Sequence, residues 1–219
     1  MPKIQAFIFD LDGVITDTAE FHYLAWKQLA DEEGLPFTRE DNEQLRGVSR
    51  RESLTRLLKG KAISEDTAQE YMTRKNDYYK KYLENITPAD ALPNVPTFLR
   101  TAKLAGIKIG LGSASKNAVD ALERLELTPL FDAIGDGYSV ANAKPAPDLF
   151  IWVAGRLNVN PANALVFEDA EAGVDAALKG GFYTLGIGSE KNVYNAHLKA
   201  PKGLEELDVI HVLQHFHNL

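Results

Sequence analysis

Two aspartates one residue apart, Asp10 and Asp12 in "FDLDGVITDT", are the first residues of this 219-residue chain whose type and spacing could do chemistry. They follow the apolar run "AFIF" (6–9) and lead straight into Gly13. If that run is a buried strand, both carboxylates leave its carboxyl end pointing the same way, because side chains in extended backbone repeat every two residues. Carboxylates this close repel each other unless a cation sits beside them. Aspartates capping the next helix, or a calcium loop, would use similar letters.

Three later stretches narrow the choice. "LGSAS" carries hydroxyls at Ser113 and Ser115 and is followed by Lys116 and Asn117 at the start of an expected helix, where free N–H groups and the helix dipole can seat a phosphate. "AKPAPD" puts Lys144 before a proline turn, and "VFEDAEAG" puts Glu168 and Asp169 just past the apolar run "ALVF" (164–167). Singly, these are a surface lysine and helix-capping acids. Together they are an inventory for moving a phosphoryl group onto an aspartate. Like charges ~4 Å apart repel by roughly 4 kcal/mol at an effective dielectric near 20, so a carboxylate attacking a phosphate dianion needs that charge cancelled. Mg²⁺, held by Asp10, Glu168 and Asp169, is the expected agent, with Lys144 and Ser113 taking the remaining phosphoryl charge. Asp12 is then free to serve as general acid and base.

The elements that must position these residues are legible as short apolar runs, "AFIF", "IKIGLG" (107–112), "ALVF" and "FYTLGIG" (182–188), alternating with stretches of helical period such as "NAVDALERLEL" and "PDLFIWVAGRLN". That pattern predicts an α/β fold, a Rossmann-like parallel sheet with helices on both faces and a site at the carboxyl ends of its strands. Residues 16–87 contain no strand-like run and read as an all-helical cap domain inserted after the first strand. The catalytic core is then discontinuous, 1–15 and 88–219, with the three prolines of "TPADALPNVP" (87–96) stiffening the return. In the closing "DVIHVLQHFHNL", Val209, Val212, Leu213 and Phe216 share one helical face, and His211, His215 and His217 read as solvated helix residues rather than metal ligands, since no carboxylate joins them.

A net charge of −7 argues against non-specific binding to nucleic acid or an anionic membrane, so an anionic substrate must be caught by a local basic cluster. The chain has no cysteine, which removes disulfide and thiolate chemistry and leaves carboxylate or histidine for any metal. "MPKIQAFIFD" reaches an aspartate too soon for a signal-peptide apolar region, and the expectation is a cytoplasmic protein acting as a monomer on a small molecule.

The ordered set "FDLDGVITDT", "GSASKN", "AKPAPD" and "FEDAEAG" resembles the four motifs of the haloacid dehalogenase superfamily of aspartate-nucleophile phosphotransferases, across most of the chain. In the insertion, "FHYLAWKQLA", "NEQLRGVSRRESL" and "RKNDYY" look like the cap of those members that interconvert β-glucose 1-phosphate and glucose 6-phosphate. The resemblance implies Asp10 as the phosphoryl-carrying nucleophile, a metal set of Asp10, Asp12, Glu168 and Asp169, and Thr18 near the hinge. It implies that His22 couples substrate binding to cap closure. Arg50 would bind the unreacting phosphate together with Ser115, Lys116 and Asn117. Trp26, Leu45, Gly47, Val48, Ser49, Ser53 and Lys75 would line or close the cap side. Mg²⁺ and β-glucose 1,6-bisphosphate, as activator and intermediate, come with it.

From the residues alone, His22 and Trp26 lie four apart on one helical face and suit a core, and Arg50, Arg51 and Lys75 suit a solvated surface. What favours function is that a bisphosphorylated intermediate requires a second cationic pocket, which "GVSRRES" can supply. The chain departs from the family pattern at Gly112, at "PNVP" and in "GDGYSVANAKP" before Lys144. A phosphatase with the same core, or a non-catalytic sugar-phosphate sensor, are the competing functions.

Overall fold

A computed structural model describes residues 4–217, so residues 1–3 and 218–219, assigned above to the core, lie outside the described residues. Six parallel strands form one sheet in the order β3-β2-β1-β4-β5-β6: β1 (Ala6–Phe9), β2 (Lys108–Gly112), β3 (Ala133–Gly135), β4 (Ala164–Glu168), β5 (Tyr183–Ile187) and β6 (Leu198–Ala200). The four residues of β1 are all buried, as a central strand covered on both faces requires. Phe7 and Phe9 point to one face, where Phe9 stacks on Phe167 with ring centroids 4.4 Å apart. Ala6 and Ile8 point to the other, against Phe150 and Val153 of α7 (Asp148–Arg156).

Glycine in β2 sets how closely α7 packs. A Cβ on Gly112 would stand 2.8 Å from the Phe150 ring, so the departure at this position is matched by the aromatic side chain that fills the space. The remaining core helices are α5 (Val95–Leu104), α6 (Ala118–Arg124), α8 (Glu171–Lys179) and α9 (Val209–His217). In α9, Val209, Val212 and Phe216 are buried, while His211 and His215 point to solvent.

Between Thr16 and Ala91 the chain is helical: α1 (Ala19–Glu32), α2 (Arg39–Glu43), α3 (Arg50–Leu58) and α4 (Glu65–Leu83). These helices bury a cluster of their own around Trp26, Leu29, Phe37, Leu54 and Leu57. Hydroxyl caps fix their starts: Ser49 accepts from the Glu52 N–H at 3.2 Å, Ser64 from Thr67 at 3.1 Å, and Thr38 forms a reciprocal capping box with Asp41. The outgoing and returning connections run side by side, with Leu92 N–H donating to Ile15 O at 2.9 Å and Thr16 Oγ1 to Asp90 O at 2.8 Å.

Register places the chemistry. Phe9 pairs with Leu111 on one side and Phe167 on the other, so Asp10, Ser113 and Glu168 emerge together at the carboxyl edge of the three central strands.

Candidate active site

Asp10 is 4% exposed, and both of its oxygens are engaged: Oδ2 accepts from the Asp12 N–H at 3.0 Å and Oδ1 from Lys144 Nζ at 2.5 Å. The same ammonium donates to Glu168 Oε2 at 2.8 Å. Burial works to lower the Lys144 pKa, but Asp10 and Glu168 outweigh it and hold the group above the usual lysine range. Glu168 also accepts at Oε1 from the backbone N–H groups of Asp169 (3.3 Å) and Ala170 (3.2 Å). Its carboxyl lies 2.0 Å from where a Gly173 Cβ would stand, so only glycine lets α8 pass this close.

Asp169, also buried, pairs with the Arg46 guanidinium from the loop between α2 and α3. Gly13 makes room for that contact. Its φ of +76° is the left-handed turn that favours glycine, and a Cβ there would fall 2.2 Å from Asp169 Oδ2.

Asp10, Glu168 and Asp169 each offer an oxygen within 4.8 Å of the others. Burial, then Asp10, pushes Glu168 up to about 8; burial pushes Asp169 to about 6 against the pull of Arg46. Three buried carboxylates with this deficit of positive charge, and with oxygen donors alone, fit a hard divalent cation such as Mg²⁺. The Asp12 carboxylate is not in the group and is engaged elsewhere. Its Oδ1 accepts from the Thr18 hydroxyl, and its Oδ2 lies 3.9 Å from His22 Nε2. Burial, then Asp10 and Asp169, raises Asp12 to about 8.

On the cap side, Lys75 is 2% exposed, with Nζ 2.8 Å from His22 Nδ1 and over the rings of Tyr79 (4.9 Å) and Trp26 (5.2 Å). Arg50 donates to Asn76 Oδ1 at 2.7 Å, and that oxygen also accepts from Asn117 Nδ2 at 2.9 Å, joining cap to core. Ser113 Oγ accepts from the Ser115 N–H (3.1 Å) and Ser115 Oγ from the Asn117 N–H (3.2 Å), so the hydroxyls hold the turn's own shape.

One pocket is lined by Asp10, Asp12, His22, Trp26, Leu45, Gly47, Val48, Arg50, Ser53, Lys75, Ser115, Lys116 and Asp169. Of the other expected residues, Thr18, Ser113, Asn117, Lys144 and Glu168 are buried around it. Ser49 faces a neighbouring cavity and spends its hydroxyl on capping α3. Sequence reasoning missed Arg46 and Asn76. Both lie inside stretches quoted above, but neither charge nor spacing marks them apart from their neighbours; only the folded contacts with Asp169, Arg50 and Asn117 do.

Compared with known protein families, residues 4–181 match the haloacid dehalogenase-like hydrolases. The chain belongs to this family. Within the haloacid dehalogenase-like proteins it is 45% identical over 199 residues to the β-phosphoglucomutase of Bacillus subtilis, covering 89% of this chain and 88% of that one. It is 33% identical to a phosphorylated carbohydrates phosphatase of Thermotoga maritima, over 81% of this chain and 82% of that one. The crystal structure of β-phosphoglucomutase from Clostridium difficile superposes with a TM-score of 0.94 at 40% identity, covering 98% of both chains. The haloacid dehalogenase-like sheet and its helical insertion account for the described residues, among which no helix is long and apolar enough to cross a membrane.

Proposed function

We propose that this chain is a β-phosphoglucomutase, interconverting β-glucose 1-phosphate and glucose 6-phosphate through phospho-Asp10 and β-glucose 1,6-bisphosphate. The observation that carries this over simple hydrolysis is the joint between Arg50, Asn76 and Asn117, which holds Arg50, a cation lining the same pocket as Asp10, where it would bind a second phosphate. A phosphatase acting on one phosphate has no use for it. The 45% identity to a β-phosphoglucomutase supports the same choice.

Asp10, Glu168 and Asp169 would hold Mg²⁺, which supplies charge neutralisation to the transferring phosphoryl group. Asp10 Oδ attacks phosphorus, and Lys144 offsets the charge between Asp10 and the incoming phosphate. Phospho-Asp10 gives its group to the 6-hydroxyl of β-glucose 1-phosphate while Asp12 takes the hydroxyl proton. The bisphosphate then turns over; Asp10 attacks the phosphorus at C1, and Asp12 returns its proton to the departing C1 oxygen. A raised Asp12 pKa, about 8, suits a group that must hold a proton near neutrality between these steps. Arg50, Ser115, Lys116 and Asn117 hold the phosphate that is not reacting. The cap residues, His22 and Lys75 among them, close the site against water.

An acyl phosphate hydrolyses, so enzyme given β-glucose 1-phosphate alone should show a lag that catalytic β-glucose 1,6-bisphosphate abolishes. Measuring glucose 6-phosphate and inorganic phosphate together decides the matter. Isomerisation far exceeding phosphate release is expected; comparable amounts would make the protein a hydrolase, as the name of its 33% identical relative suggests. Asp10→Asn should abolish both products with folding intact.

A further inference from the structure

"GDGYSVANA" (135–143), the unusual lead into the lysine motif, has no part in the chemistry above, yet it contains the 71% exposed Tyr138. The turn that presents this side chain is tightly specified. Asp136 Oδ1 accepts from the Tyr138 N–H at 2.9 Å and from Ser139 Oγ at 3.0 Å, and Ser139 Oγ accepts in return from the Asp136 N–H at 3.0 Å. The turn is also fastened to the phosphate-side loop, because Gly137 N–H donates to Ser115 O at 3.1 Å. A Cβ on Gly137 would lie 2.6 Å from Ala114 O and 2.8 Å from Lys116 Cγ, so the glycine is what lets the two loops touch.

The consequence is that the Tyr138 ring lies 4.6 Å from Lys116 Nζ. We propose that Tyr138 is a positioning residue for the unreacting phosphate, its ring face holding the Lys116 ammonium at the mouth of the distal corner. This rests on the reading of Arg50, Ser115, Lys116 and Asn117 as the distal phosphate site. A ring suits the task better than a carboxylate would. An acidic partner would neutralise Lys116 and repel an incoming dianion, whereas a ring quadrupole orients the cation and leaves its charge for the ligand. Lys116 and Arg50 line the pocket together.

The test uses the unreactive Asp10→Asn protein and β-glucose 1,6-bisphosphate, with affinity measured by calorimetry. Adding Tyr138→Leu should weaken binding about three- to fivefold, the range for a cation over an exposed ring, while Tyr138→Phe should stay within about twofold of the parent. In a Lys116→Ala background, Tyr138→Leu should add no further loss. In the otherwise wild-type enzyme, Tyr138→Leu should raise KM for β-glucose 1-phosphate with little change in kcat. It should leave phosphorylation of Asp10 by acetyl phosphate, which has no second phosphate, at the parent rate. Unaltered bisphosphate affinity in Tyr138→Leu, an equal loss in Tyr138→Phe, a persisting loss without Lys116, or a matching fall with acetyl phosphate would each overturn the assignment. Failure of the mutase reading is seen separately, as phosphate release by the wild-type enzyme, because the binding comparison needs no turnover.

Discussion

Lys75 Nζ and His22 Nδ1 face each other across 2.8 Å, two basic nitrogens buried side by side. Burial, then Lys75, then Arg50, holds His22 well below its usual pKa, and burial and Arg50 hold Lys75 well below its own. Either nitrogen can donate once the Lys75 amine is neutral; with Nδ1 accepting, the imidazole proton sits on Nε2, which among the described residues has no hydrogen-bond partner and lies 3.9 Å from Asp12 Oδ2. Lys75→Met removes one of the two neighbouring cations, so the His22 titration midpoint should rise, read from the imidazole resonances by NMR. An unmoved midpoint would leave burial and Arg50 as the causes. For the parent protein the sign of the linkage follows from the depressed value. The unfolded imidazole takes up a proton below about pH 6.5 and the folded one does not, so stability from this group is present above that pH and drains away below it. Urea unfolding at pH 7 and pH 5 measures the slope.

Glu168 and Asp169 carry the opposite sign. Their folded values, about 8 and about 6, lie above the ordinary 4.5 and 3.8. The protonated forms are favoured, so their contribution to stability is full below pH ~4 and is lost as pH rises through 6 to 8. A divalent ion must displace those protons. Mg²⁺ should therefore raise Tm more at pH 8 than at pH 6, and chelation should silence turnover at either. Equal Tm gains at both values would mean that the ion binds elsewhere.

How far the sequence reveals these contacts depends on how local their causes are. Asp10 and Glu168 could be placed because each follows a continuous apolar run, and every residue of "AFIF" and of β4, which Glu168 ends, is indeed buried. The edge strands β3 and β6 could not, since three residues, "AIG" and "LKA", are too few to show a period, and they pair only because β2 and β5 offer open edges. The helical reading of the insertion follows from the long periodic runs that became α1 and α4, yet which of its cations turn inward depends on packing. Arg50 and Arg51 are adjacent and alike in sequence. Arg50 turns to Asn76 and the pocket, while Arg51 pairs with Glu65 on the surface at 2.7 Å. The Thr18 hydroxyl, which ties the Asp12 carboxylate to the start of α1, likewise shows only in the folded chain.

Arg46 holds the place beside Asp169 that a metal ion would share. The guanidinium is only partly buried, so its pairing is worth up to about 1 kcal/mol, or about fivefold in an equilibrium. Arg46→Ala should tighten Mg²⁺ binding by up to that factor, as one positive neighbour is removed. Calorimetric titration of Mg²⁺ into both proteins checks it, and a weaker affinity in the variant would instead make Arg46 an organiser of the metal site.

As the proposed holder of the unreacting phosphate, Arg50 should separate reactions with one phosphate from those with two. Its guanidinium is held by Asn76, which is itself tied to Asn117, so the charge is fixed at the joint between cap and core before any ligand arrives. A buried charge-assisted contact to phosphate is worth roughly 1.5–3 kcal/mol, and Arg50→Ala should therefore slow isomerisation about ten- to a hundredfold. Acetyl phosphate brings only the group that reacts at Asp10, so its transfer should fall far less. Arg50→Lys keeps the charge but loses the planar fork that reaches both Asn76 and a phosphate oxygen, and it should recover only part of the loss. Measuring kcat/KM for both substrates in all three proteins tests the assignment. Equal losses with acetyl phosphate and β-glucose 1-phosphate would move Arg50 from the distal corner to the reacting one, whereas a selective loss fixes it where the bisphosphate must be held while it turns.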